Sequence, residues 1–259
     1  MKKKYLENTL SQYFEKYISN PNTVSIVITG SYGRNENDFL SDIDWVLIVK
    51  ERQNDMSGFK EKYNNIDFDC RIEEYSSLKN NSWCMDQYFA YFNCKIYYDK
   101  NFSFKKLQDF QKEEWHEYIK KIVAIKLVEC SVFLKFPNSV PDLVVEQTHF
   151  EKFIARKDYY SAYNCLNIIK NQLIDLCYIA NGIPIPDVKN RLRNISKYSF
   201  SNLLVSCCKK INKQTINELN NLYKDYKVIL KNIIEIINKN YNYENNLKLY
   251  YYKYRGVVK

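Results

Sequence analysis

Two short apolar runs, VSIVIT at 24–29 and IDWVLIV at 43–49, stand on either side of one polar stretch, GSYGRNENDFLSD. Runs this short and this rich in Val and Ile read as strands buried in a sheet, not as helices. The stretch between them therefore has to turn at the end of that sheet. The whole chain has 5 glycines, and two of them, Gly30 and Gly33, fall in this turn. A glycine lets backbone approach a ligand closely, and successive backbone N–H groups in such a turn make a concavity suited to an anion. Arg34 adds a positive charge beside it. Asp42 and Asp44 open the second run two positions apart, so their side chains leave the same face of the strand.

Around this core the pattern is mixed at first and helical later. Tyr5, Leu6, Leu10, Tyr13, Phe14, Tyr17 and Ile18 form a helical stripe over 4–19 that ends at Asn20-Pro21. IDFDCRI at 66–72 alternates as a strand, with Ile66, Phe68, Cys70 and Ile72 on one face and Asp67, Asp69 and Arg71 on the other. Residues 51–65 read as a loop or short helix, 76–92 as a helix, and CKIYYD at 94–99 as another strand. Beyond about residue 108 the chain reads as helices at 113–136, from Pro141 toward Ile154, at 158–181 and at 214–240. The expectation is an α+β protein, a mixed β-sheet with flanking helices over 1–108 followed by an antiparallel helical bundle over 109–259.

Charge divides the same way. Residues 1–108 hold 15 basic and 15 acidic residues, and 109–259 hold 24 and 15, so the second part carries the whole net charge of +9. A basic surface attracts polyanions such as a nucleoside triphosphate or RNA. No Lys/Arg block stands out, so solvated helix faces account for most of this charge and a nucleic-acid partner is not favoured. The 8 cysteines have no metal-ligand spacing and read as reduced thiols, and His116 and His149 as packed or solvated helix residues. Glu7 and Asn8 interrupt the basic N-terminus before any apolar stretch, and no run approaches a membrane span. A cytoplasmic protein is expected, with no membrane partner; its oligomeric state is left open, a homodimer being compatible.

The chemistry follows from the carboxylates. Asp42 and Asp44 on one face repel one another unless a cation lies between them, and Mg²⁺ takes oxygen ligands shared between one or two carboxylates and substrate phosphates. Asp67 or Asp69 offers a third acid from a nearby strand, and alternation alone does not separate them. Phosphate turn, acidic pair and third acid together suggest two-metal phosphoryl or nucleotidyl transfer.

GSYGRNENDFLSDIDWVLIV resembles the signature of the DNA polymerase β-like nucleotidyltransferase superfamily through Gly30, Ser31, Arg34, Ser41, Asp42 and Asp44, with IDFDCRI where that superfamily places its third acid. The layout, with KIYYDK before the helices, is similar to the small bacterial antibiotic nucleotidyltransferases of the aminoglycoside and lincosamide type. The resemblance implies an NTP co-substrate with two Mg²⁺ ions and transfer of a nucleoside monophosphate, AMP being the first choice, to a hydroxyl of a small antibiotic. It also implies that Gly30, Ser31, Arg34 and Ser41 hold the nucleotide and that Asp42, Asp44 and Asp69 are metal ligands and catalytic groups. Asp69 is preferred to Asp67, and Glu146 is a weaker candidate for a base in the helical part. The basic second part tilts the acceptor toward a less charged drug such as a lincosamide. The alternatives are a nucleotidyltransferase acting on tRNA or protein, as in toxin–antitoxin pairs, and a nucleotide-binding module without turnover.

Overall fold

A computed structural model of the protein describes residues 3–38, 41–52, 57–131, 134, 148–186, 195, 204, 206 and 216–241. The chain divides into two compact units, residues 1–115 and 116–259.

The first unit is built on a five-stranded mixed sheet. Its strands are β1 (Thr23–Ile28), β2 (Ile43–Val49), β3 (Gly58–Tyr63), β4 (Ile66–Glu74) and β5 (Lys95–Asp99), in the order β3-β4-β2-β1-β5. β2 is central, antiparallel to β1 and parallel to β4. β3 folds back antiparallel on β4, and β5 closes the other edge against β1. Helix α1 (Lys3–Ile18) precedes the sheet, and α2 (Gly30–Gly33) is a single turn between β1 and β2. Helices α3 (Tyr75–Asn80) and α4 (Met85–Phe92) lie between β4 and β5.

Alternation along the strands decides what each sheet face carries. Ile43, Trp45, Leu47 and Val49 of β2 and Ile66, Phe68 and Cys70 of β4 share one cluster with Leu10, Tyr13 and Phe14 of α1. Tyr13 stacks on Phe68 at 3.7 Å between ring centres, and Phe14 meets Trp45 edge-on at 4.9 Å. The intervening residues, Asp44 on β2 and Asp67, Asp69 and Arg71 on β4, are left to the opposite face. Burying the aromatic side against α1 is thus what aims the acids away from that cluster.

Three sequence expectations are corrected here. Residues 58–63, expected to be loop or short helix, form edge strand β3. Its GFKEKY pattern alternates Phe59, Glu61 and Tyr63 with Lys60 and Lys62, and charged side chains of this kind protect a sheet edge from further pairing. The helix expected over 76–92 is two helices, because the chain is extended at Asn81 and Cys84 and Gln87 caps a new start at Cys84. The long helix α5 begins at Ser103 and runs to Ser131, ten residues earlier than its apolar stripe suggests. Asp99 explains the early start: its carboxylate accepts hydrogen bonds from the backbone N–H groups of Phe104 and Lys105.

The second unit is helical as far as it is described, with α6 (His149–Ala155), α7 (Tyr159–Ala180) and α8 (Ile216–Tyr241). Thr148 caps α6 and shares a 2.8 Å hydrogen bond with the Tyr223 hydroxyl of α8. At the far end Asn240 donates to the Ala180 carbonyl and the Tyr241 hydroxyl to that of Ile179. The C-terminal ends of α7 and α8 therefore meet, and the two helices run in the same direction. The expected antiparallel arrangement does not hold for this pair. Pro137 and the helix start at Pro141 lie outside the described residues.

Glu61 ties β3 to α1 by accepting from the hydroxyls of Tyr13 and Tyr17 and from Lys16. The Tyr13 hydrogen bond, helped by those of Lys16 and Tyr17, holds its carboxyl below the usual carboxylate range against the opposing effect of burial. A lowered folded pKa contributes stability above the unfolded value and loses it as pH falls through the folded one. Urea midpoints of Glu61→Gln are therefore expected to lie below wild type at neutral pH and to converge with it in acid. Phe14→Ala, at a fully buried position, should cost about 3–5 kcal/mol in the same measurement. Exposed Phe102→Ala should stay within about 0.5 kcal/mol.

Candidate active site

The parallel pairing of β2 with β4 sets Asp44 directly beside Asp69. Asp42, just ahead of β2, completes a group in which one carboxylate oxygen from each of the three residues lies within 4.8 Å of the others. Asp42 is exposed, while Asp44 and Asp69 are half-buried. An all-oxygen donor set of three carboxylates suits a hard divalent cation such as Mg²⁺. Asp67 is not in the group: it lies one alternation further along β4, is largely exposed, and pairs with Lys62 at 3.4 Å.

The turn after β1 is pressed against this cluster. The backbone N–H of Thr29 donates to the Asp44 carbonyl at 2.8 Å. Gly30 has φ of +57°, and a Cβ there would lie 1.9 Å from Asp44 Oδ2. Both the left-handed backbone and the missing side chain are therefore required for the turn and the carboxylate to share this space. Gly33, which the sequence alone explains only as easing the turn, has a second steric reason. A Cβ at Gly33 would come within 2.6 Å of the Ile28 carbonyl oxygen and 3.0 Å of that of Asn93. Ser31 is half-buried in the same turn.

Arg34 and Ser41 are engaged within the protein. The Arg34 guanidinium pairs with Glu36 at 2.9 Å and lies over the Phe89 ring, 5.2 Å from its centre. Its charge is balanced in place and anchors the turn to α4. The Ser41 hydroxyl donates to the Asp38 carboxylate and accepts from the Asp38 backbone N–H, which closes the loop leading into Asp42. Glu146 lies outside the described residues.

Sequence reasoning passed over Lys60. It is the cross-strand neighbour of Asp69, and its ammonium is 2.5 Å from Asp69 Oδ2. Asp69 first, and Asp42 and Asp44 further off, raise the Lys60 pKa above its ordinary value. The signal was present in the GFKEKY alternation, but only recognising β3 as the partner of β4 gives it meaning. A groove of about 520 Å³ opens here, lined by Asp42, Lys60, Glu61, Lys62, Asp67 and Asp69 among others. A smaller cavity of about 130 Å³ is lined by Thr29, Asp44, Asp69, Arg71 and Tyr91 among others.

The nucleotidyltransferase domain model matches residues 8–157, more than half of the chain. The chain belongs to the nucleotidyltransferase domain family. It is a nucleotidyltransferase, of the DNA polymerase β-like superfamily. Among solved structures it is similar to a nucleotidyltransferase-like protein from Exiguobacterium sibiricum 255-15. The identity is 12%, the match covers 90% of this chain and 77% of that one, and the TM-score is 0.48. No curated protein matches the chain. Among the described residues of this nucleotidyltransferase, no helix is long and apolar enough to cross a membrane.

Gly30→Ala should keep the fold while displacing Asp44, because the added Cβ has nowhere else to go. A misplacement of about 1 Å at a reacting centre costs roughly a hundredfold in rate. Pyrophosphate release assayed beside circular dichroism is expected to show that loss with secondary structure retained.

Proposed function

We propose that this nucleotidyltransferase moves a nucleoside monophosphate from an NTP, with ATP as the first donor to test, to a hydroxyl of an amine-bearing small molecule. Aminoglycoside and lincosamide antibiotics are such acceptors. The observation that carries the proposal is the carboxylate group of Asp42, Asp44 and Asp69 packed against the Gly30 turn in a chain of this family.

In this mechanism the Gly30–Ser31 turn binds the triphosphate, and Asp42, Asp44 and Asp69 hold Mg²⁺. Bound there, Mg²⁺ supplies positive charge to the phosphoryl oxygens and lowers the pKa of the attacking hydroxyl. The acceptor oxygen bonds to the α-phosphorus as the bond to the β-phosphate bridge breaks, and pyrophosphate leaves. Asp69 lines the groove, which supports giving it the hydroxyl proton in this mechanism. Displacement at phosphorus is in line, so a leaving group held at the Gly30–Ser31 side calls for a nucleophile from the opposite, groove side.

The acceptor class is supported by charge. Carboxylates outnumber ammonium groups along the groove, which favours an acceptor bearing amines. This local balance outweighs the +9 of the whole chain, because a distant surface charge is screened over roughly 8 Å at physiological salt. Resistance to such a drug is the corresponding biological role.

Incubation with MgATP, the other NTPs and a drug panel should release pyrophosphate and add one nucleotide to the acceptor by mass. Asp42→Asn and Asp69→Asn are each expected to reduce turnover by at least about a thousandfold, whereas Asp67→Asn should stay within about threefold of wild type. Equal turnover in wild type and Asp42→Asn, or no product with any acceptor of the panel, would count against the proposal.

A further inference from the structure

The three carboxylates are held close enough to repel one another, and the structure already supplies one cation to them. Lys60 and Lys62 project from β3 toward Asp69 and Asp67, as the antiparallel register dictates. The two pairs look alike, yet only Asp69 belongs to the carboxylate group. On the strength of the metal-binding role given above to Asp42, Asp44 and Asp69, we propose that Lys60 is a built-in counter-ion. It neutralises Asp69 when no divalent cation is bound, competes with that cation for the carboxylate, and is displaced into the groove when the cation enters.

The geometry supports each part. The Lys60 ammonium reaches the same oxygen-rich wall of the groove that a metal ion would share. A divalent ion beside Asp69 would repel an ammonium left in place, since like charges a few ångströms apart are costly even in a wet site. The Lys60 side chain is 78% exposed, so its flexible stem can leave without disturbing the sheet. An exposed ion pair of this kind is weak, which makes it a counter-ion that a metal can displace. Released from Asp69, the ammonium remains in the groove, where Asp67, outside the carboxylate group, also lines the wall. The ordinary role of an edge-strand lysine, discouraging further strand pairing, applies equally to Lys60 and Lys62, so comparing the two separates that role from the one proposed.

The test reads metal affinity directly. Free Mn²⁺ is titrated with the full-length protein and followed by its electron paramagnetic resonance signal, without nucleotide. Lys60→Met is expected to bind Mn²⁺ about two- to fivefold more tightly than wild type, the range an exposed ion pair commands. Lys60→Arg and Lys62→Met should stay close to wild type. Affinity in Lys60→Met equal to or weaker than wild type overturns the proposal, as does an equal gain in Lys62→Met, which would reflect overall charge alone. Mn²⁺ binding that Asp42→Asn leaves unchanged would instead bring down the metal role of the carboxylates, and the Lys60 proposal with it.

Discussion

The site depends on one pairing, the parallel register of β2 and β4 that sets Asp44 beside Asp69. The two residues are 25 positions apart in the chain, and no local interaction brings them together. A one-residue slip in this register would turn one acid toward the aromatic cluster under α1 and expose an apolar partner in its place. Burial of Trp45 and Phe68 against Tyr13 and Phe14 therefore does more than stabilise the unit. It makes the wrong register costly, and so holds the acids on the face away from that cluster.

The turn between β1 and β2 is the second constraint, and it is steric. Gly30 is needed because Asp44 occupies the volume a side chain would take, and Gly33 because two carbonyl oxygens approach it. Arg34 and Ser41 fit the superfamily pattern, but their contacts are to Glu36, Phe89 and Asp38. In this conformation both residues shape the loop that carries the site.

Much of the first unit was legible because its signals are local and periodic. The strands at 24–29, 43–49, 66–72 and 94–99 appear close to where alternation and β-branched runs place them. The misread segments have identifiable causes. β3 is short, charged and at an edge, so it carries little apolar periodicity to detect. The early start of α5 comes from Asp99, a capping group contributed by the preceding strand. The shared direction of α7 and α8 shows in contacts between residues 60 and 62 positions apart, which no hydrophobic period encodes.

What the sequence determined by itself is a set of side chains: two carboxylates in an Asp-x-Asp pair, a glycine turn beside them, and further acids on an alternating strand. Side-chain period and residue type are properties of a few neighbouring positions, and a sequence displays them directly. Only the tertiary structure set Asp69 rather than Asp67 beside Asp42 and Asp44, gave Gly33 its reason, and brought Lys60 onto the Asp69 carboxylate. Each of these depends on register between strands distant in the chain, which the packing of the whole sheet sets.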